Sequence, residues 1–348
     1  MPKQVPIVIT LGDPAGIGPE IIVKAFRDAP DMTRHCFVAG DIGSLRRAAQ
    51  IVGGEGVVMP IALIASPEDS LDIPPRCIPV IQVVPVGALV EFGRVSAAAG
   101  LVAGQCVTWA AQAALAGRVA AMVTAPLHKE ALHAAGLPYS LYPGHTELLQ
   151  AQAASFLGKT VSELPVRMML ANEELRTVLV SIHVSLRDAL EAVSLDKVLQ
   201  TLVIADRSLR ALLGRAPVIA VAGLNPHAGE GGLFGREEID VIMPAIAAAC
   251  RLGIDARGPF APDTVFMRAR NTARRSAEFD VVVAMYHDQG LIPVKYLGVE
   301  KGVNVTLGLP LLRTSPDHGT AFDVAGTGRA DASSLIEAIR LARVLSQG

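Results

Sequence analysis

Val281-Val282-Val283-Ala284-Met285-Tyr286-His287-Asp288-Gln289-Gly290 is an apolar run that breaks abruptly into polar residues. It is apolar at every position rather than at alternate ones, the pattern of a strand covered on both faces. Such strands belong to parallel sheets layered between helices. Similar runs predict strands over 5–11, 36–40, 57–64, 78–84, 119–124, 166–170, 176–182, 217–223, 280–286 and 303–308. Between them, Ala/Leu/Arg segments of helical period predict helices over 19–28, 43–52, 97–117, 144–156, 194–213, 235–252, 264–276 and 332–346. The fold class is therefore α/β. Chemistry-bearing residues cluster just after strands, where open α/β sheets bind ligands.

A chain of 348 residues is long for one core and suits two α/β/α lobes. No Pro/Gly/Ser-rich linker, low-complexity tract or internal repeat separates them, so structured crossings must join the lobes. Hydrophobic residues at 51% against 18% charged exclude disorder. The net charge of −2, with no Lys/Arg block longer than two, gives a nucleic acid no footprint. The start of the chain reads as a strand and turn rather than a cleaved leader. Nowhere do eighteen apolar residues run together, so no membrane span is expected. The four cysteines are scattered without a C-x-x-C pair, which points to a reduced, cytoplasmic compartment. Aromatics are only 4%, while alanine and valine abound. A core of small side chains and apolar surface buried on a second subunit both fit that composition.

Four stretches carry chemistry. Gly12-Asp13-Pro14-Ala15-Gly16-Ile17-Gly18-Pro19-Glu20 lies between a strand and a helix, and its glycines let backbone pass close to a ligand. It is not G-x-G-x-x-G, so the chain is non-Rossmann; a plain tight turn is the other reading. His183, His227 and His287 each stand just beyond a predicted strand. Three neutral imidazoles around one divalent ion is the stoichiometry of a catalytic metal site, although each alone reads as a hydrogen-bonded loop residue. Gly144-His145-Thr146-Glu147 enters a helix with backbone and hydroxyl donors for an anion, and Lys295, Asn304 and Arg313 lie on or beside short strands. The loop from Asp317 to Asp331 has the length and polarity to wrap an adenosine, or to be simply solvated.

Together these stretches resemble the 4-hydroxythreonine-4-phosphate dehydrogenase family over essentially the whole chain. The matching pieces are Gly12–Glu20, Thr124–Lys129, Gly144–Glu147, His183 with Leu186-Arg187, Asn225–Glu230, Tyr286–Gly290, Gly302–Pro310 and Arg313–Gly326. The first and last also look like loops of isopropylmalate and isocitrate dehydrogenases. That wider resemblance implies two lobes with a cleft between them and a homodimer. It places 1–125 plus 291–348 in a first lobe with the cofactor loops, and 126–290 in a second with metal ligands and dimer contacts.

Carried over residue by residue, the resemblance implies that His183, His227 and His287 bind one divalent metal, Zn, Mg or Co, in a site completed across the dimer. It implies that His145, Thr146, Lys295, Asn304 and Arg313 hold the substrate, largely by its phosphate. Gly12, Gly16, Gly18, His318, Gly319 and Asp323 are implied in cofactor binding, and an acid at Asp323 favours NAD over NADP. Lys295, Asp263 and a metal-relayed water all remain open as the group that takes the hydroxyl proton. The implied reaction is NAD-dependent oxidation of 4-phosphooxy-threonine to a 3-keto acid that decarboxylates, a step of pyridoxine biosynthesis. Ser140-Leu141-Tyr142-Pro143 looks more like relatives that oxidise D-threonate or D-erythronate 4-phosphate, which is the alternative. A dehydrogenase of aromatic cis-dihydrodiols is a further branch, and His145, Thr146 and Arg313 argue against it. A non-catalytic binding protein on this scaffold would lack some of these residues.

Overall fold

The computed structural model describes residues 4–85, 87–298 and 301–346. The chain forms two compact α/β units, one reaching to Pro165 and resuming at Leu309, the other running from Val166 to Gly308. The divisions therefore fall later than the 125/126 and 290/291 read from sequence. Packing explains the shift. Helices Lys129–Ala134 and His145–Phe156 lie against helix Ala97–Leu115 of the first unit. Leu291 and Val294 enter a core with Val282 and Ala284 of the second.

The chain begins with β1 (Ile7–Thr10), β2 (Cys36–Gly40), β3 (Ile61–Leu63), β4 (Ile78–Gln82) and β5 (Ala121–Thr124) of the first unit. The second unit follows with β6 (Arg167–Ala171), β7 (Arg176–Leu179), β8 (Ile219–Ala222), β9 (Ala256–Phe260), β10 (Val281–Ala284) and β11 (Val303–Leu307). The chain then returns to the first for β12 (Arg313–Pro316). Strands of the first unit run β3-β4-β2-β1-β5-β12, all parallel. Those of the second run β11-β6-β7-β10-β8-β9, antiparallel at the first two junctions and parallel thereafter.

Val281 to Ala284 are all buried, as are all four residues of β1, so both faces of these strands are covered. Each such Val or Ile contributes about 1.5–3 kcal/mol by leaving water. Helix starts follow local chemistry: Asp41, Ser96 and Ser194 each accept a backbone N–H from the first turn that follows. Helix Ala97–Leu115 is long and apolar enough to cross a membrane by composition, and half of it is buried within the chain.

Differences from the sequence reading have local causes. The helix expected over 264–276 stops at Ala269, because the Asn271 N–H donates to the Glu174 carbonyl instead of back along a helix. The segment 235–252 divides into a wide π turn, Glu238–Ile242, and helix Met243–Arg251, whose first turn holds Pro244. Proline has no N–H to continue the ladder from the preceding turn. Strands β9 and β12 and helix His287–Tyr296 were not foreseen. Strand β9 contains Gly258-Pro259 and pairs only with β8, the edge position that proline tolerates.

Candidate active site

In the second unit, β7, β10 and β8 are neighbouring parallel strands, and their carboxyl ends lead to His183, His287 and His227 respectively. The His183 and His287 rings stand 5.5 Å apart between centroids, tilted by 46°. His287 opens helix His287–Tyr296, and its Nδ1 lies 2.7 Å from Asp288 Oδ1. His227 has Nδ1 3.1 Å from Glu230 Oε1 and meets the Phe234 ring edge-on at 6.2 Å. A carboxylate beside Nδ1 accepts a hydrogen bond from the N–H there and so leaves the Nε2 lone pair for a cation, the usual arrangement behind metal-binding imidazoles. The donor set thus fits a divalent ion of borderline softness. Within one chain, and among the described residues, no three His, Cys, Asp or Glu side chains are grouped to hold it.

A cavity of about 710 Å³ opens beside these residues, lined by His227, Asp263, Tyr286, Asp288 and Gln289 with Pro262, Phe266 and Ile292 among its apolar walls. Gln289 is fixed there by accepting from the Met285 N–H and donating to the Gly223 carbonyl. Asp263 is exposed on the rim. Lys295 is half-buried in the last turn of helix His287–Tyr296, and Asn304 is half-buried on β11.

In the first unit, Arg313 is 6% exposed, and burial brings its guanidinium down to about 10, still cationic at neutral pH. Its Nε and Nη2 donate to the Thr124 hydroxyl at 3.0 and 2.7 Å. His145 and Thr146 begin helix His145–Phe156, where the first amides lack helical acceptors, the arrangement that suits an anion. Burial first, and the Arg313 charge second, hold the His145 imidazole well below its ordinary range. His145 is therefore neutral, and its Nε2 is buried without a hydrogen-bond partner. A buried cation beside an unsatisfied neutral donor or acceptor is equipment for an anionic ligand.

The glycine-rich turn serves the protein's own backbone. A Cβ on Gly12, at φ +72°, would stand 2.4 Å from the Pro126 carbonyl oxygen, and one on Gly16 would stand 2.8 Å from that of Thr320. The Ile17 N–H donates to the same Thr320 oxygen at 3.0 Å. Gly18 opens helix Gly18–Asp28, and that helix grips the loop after β12 with two side chains one turn apart. Glu20, fully buried, accepts the Gly326 and Gly328 N–H groups, and Lys24 donates to the Gly328 and Ala330 carbonyls at 2.8 and 2.6 Å. Within the gripped loop, His318 and Asp323 differ in setting. His318 Nε2 is buried and unpartnered, while Gly319 and Asp323 are exposed.

Sequence reading passed over several of these groups. Asp13 is fully buried, burial raises its carboxyl above the ordinary value, and its Oδ2 has no partner. His128 stacks on Phe322 with centroids 4.8 Å apart, and its Nδ1 is likewise unpartnered. Asp288 and Glu230 could have been read locally, one and three residues after their histidines. Glu20, Lys24 and Thr124 act through partners far along the chain, so no spacing reveals them.

An α/β scaffold with a buried arginine beside a neutral imidazole, and with further imidazoles following the carboxyl ends of parallel strands, is built as an enzyme. The chain belongs to the family of the pyridoxal phosphate biosynthetic protein PdxA, whose profile matches residues 32–342. It is 51% identical over 330 residues to a 4-hydroxythreonine-4-phosphate dehydrogenase of Beijerinckia indica subsp. indica, covering 95% of this chain and 92% of that protein. It is 42% identical over 342 residues to a D-threonate 4-phosphate dehydrogenase of Pectobacterium atrosepticum, covering 98% and 99%. The crystal structure of 4-hydroxythreonine-4-phosphate dehydrogenase from Klebsiella pneumoniae has the same fold. Its TM-score is 0.87 at 42% identity, with 99% of this chain and 100% of that one covered.

Proposed function

We propose that the chain is a dehydrogenase of 4-phosphooxy-L-threonine in pyridoxine biosynthesis. It passes a hydride from the C3 hydroxyl carbon to NAD and releases the hydroxyl proton. The 3-keto acid formed then loses carbon dioxide to give 3-amino-2-oxopropyl phosphate. Buried Arg313 beside neutral His145 carries this reading, because a desolvated cation gains more from a phosphate than from the hydroxyls of an aromatic-acid diol.

The first unit's residues bind and orient. Arg313 and the Thr146 hydroxyl and amide take phosphate oxygens, and the resemblance assigns Lys295 and Asn304 to substrate binding. Glu20 and Lys24 hold the loop whose exposed Asp323 accepts from ribose hydroxyls and repels a 2'-phosphate. NAD is accordingly the favoured cofactor, with NADP a poorer one.

His183, His227 and His287 would hold one divalent ion, Zn, Mg or Co, which when bound polarises the substrate hydroxyl. Asp288 and Glu230 keep Nδ1 protonated on His287 and His227. A homodimer completes the set of three imidazoles. The exposed apolar residues Ile182, Val184, Leu186, Leu190, Ile292 and Tyr296 around His183 and His287 support such a partner. Asp263 lines the His227 cavity, which supports it as the group that takes the proton; Lys295 and a metal-relayed water are the other candidates. The compartment is cytoplasmic in this reading.

Oxidation of D-threonate 4-phosphate is the second reading. Leu141, Tyr142 and Pro143, the segment that departs from the threonine-phosphate pattern, line a separate cavity of about 390 Å³ with Lys129 and His133. The test supplies both phosphates to purified protein with NAD or NADP and measures reduced cofactor against released carbon dioxide. Equal yields from 4-phosphooxy-threonine with NAD support the proposal. Reduction with D-threonate 4-phosphate alone selects the second reading.

A further inference from the structure

His227 begins a turn of six successive residues with positive φ, 53, 55, 83, 43, 68 and 101° from His227 to Gly232. His227, Ala228 and Glu230 carry side chains that disfavour this region, so the conformation persists only where its surroundings over-determine it. Those surroundings converge on one carboxylate. Glu238 is 1% exposed. Its Oε1 accepts the backbone N–H groups of Leu224 and Asn225, both at 2.7 Å, and its Oε2 accepts Asn225 Nδ2 at 2.9 Å. A Cβ on Gly229 would stand 2.7 Å from the same Oε2, so the carboxylate lies directly against the turn. Asn225 then starts the turn, its carbonyl accepting the Ala228 N–H at 3.1 Å. Glu238 is itself the first residue of the π turn Glu238–Ile242.

We propose that Glu238 is a positioning residue for His227, forming the left-handed turn from which that imidazole is presented to a divalent cation. The inference rests on the metal reading under Proposed function. These three donors to Glu238 come from Leu224 and Asn225, the two residues that lead into Pro226 and His227. Its influence therefore falls on one candidate ligand. His183 and His287 follow other strands, and none of these three hydrogen bonds comes from their loops.

Cobalt(II), whose visible bands report its coordination, is titrated into the wild-type full chain and into Glu238→Ala, Glu238→Gln and Asn225→Ala. Amide exchange is followed over residues 224–232. Glu238→Ala is expected to weaken cobalt binding by ~10-fold or more, to change the bands and to expose the Leu224 and Asn225 amides. Glu238→Gln recovers most of the affinity, since its carbonyl oxygen still accepts both backbone N–H groups. A residue with only a structural role would lower the melting temperature and leave the spectrum of bound cobalt unchanged. Should Glu238→Ala not fold, Asn225→Ala, which removes a donor from a half-buried side chain, weakens binding and shifts the bands in the same sense. Wild-type affinity and spectrum in whichever of these two folds overturn the proposal alone. Wild-type protein that takes up no cobalt overturns the metal reading and this inference with it.

Discussion

Arg313 and Thr124 lie on neighbouring parallel strands, and the guanidinium donates twice, at 3.0 and 2.7 Å, to the one hydroxyl oxygen. The pair fixes the plane of a buried cation before any substrate arrives. Thr124→Val keeps the side-chain shape and removes the acceptor. It is expected to lower kcat/KM for a phosphorylated substrate by about 10-fold, a loss of ~1.4 kcal/mol. Steady-state kinetics check this, and Thr124→Ser should restore the wild-type value. Equal activity in Thr124→Val would contradict a positioning role.

His145 gives a pH signature. Its folded-state pKa lies below the ordinary 6.5 because of burial and the Arg313 charge. The unfolded chain therefore binds the extra proton first. Its contribution to stability is complete above about 6.5 and is lost as pH falls from there toward the folded pKa, by at most ~1.4 kcal/mol per pH unit. Urea unfolding between pH 8 and 5 should show a steeper loss for wild type than for His145→Gln. Identical slopes would mean that His145 titrates normally.

Glu20 accepts two loop amides from a fully buried position, so Glu20→Ala leaves Gly326 and Gly328 without their partner. Stability should fall by about 1–3 kcal/mol. The dissociation constant for NAD, measured by calorimetry, should rise at least ~5-fold as the loop loses its order. Phosphate-ester binding should hold near its wild-type value. A change confined to the substrate constant would show that the loop serves the substrate instead.

Much of the fold was legible because its strands are apolar throughout, as at Val281–Ala284. Strand β12 was hidden because Arg-Thr-Ser-Pro reads as loop. All four residues are nonetheless buried, satisfied by tertiary bonds such as Thr314 Oγ1 to the Ala338 carbonyl. Gly290 and Pro293 masked helix His287–Tyr296, although the close approach of Leu179 leaves no room for a Cβ at Gly290. The histidines were visible as residues following strands. The adjacency of their strands was not, because the strand order β7-β10-β8 differs from the chain order. Glu238 and Glu20 escaped notice for the same reason: their partners lie 13 or more residues away.

The central claim is that this chain oxidises a phosphorylated hydroxy acid held through Arg313. The direct measurement is the absorbance of NADH when purified protein and a divalent metal receive 4-phosphooxy-L-threonine or the same acid without its phosphate, with wild type and Arg313→Ala side by side. Wild type should reduce NAD with the phosphorylated acid, and Arg313→Ala should lose at least ~10-fold in kcat/KM on that substrate. Preference of the wild type for the unphosphorylated acid, with Arg313→Ala equally active, would contradict the account.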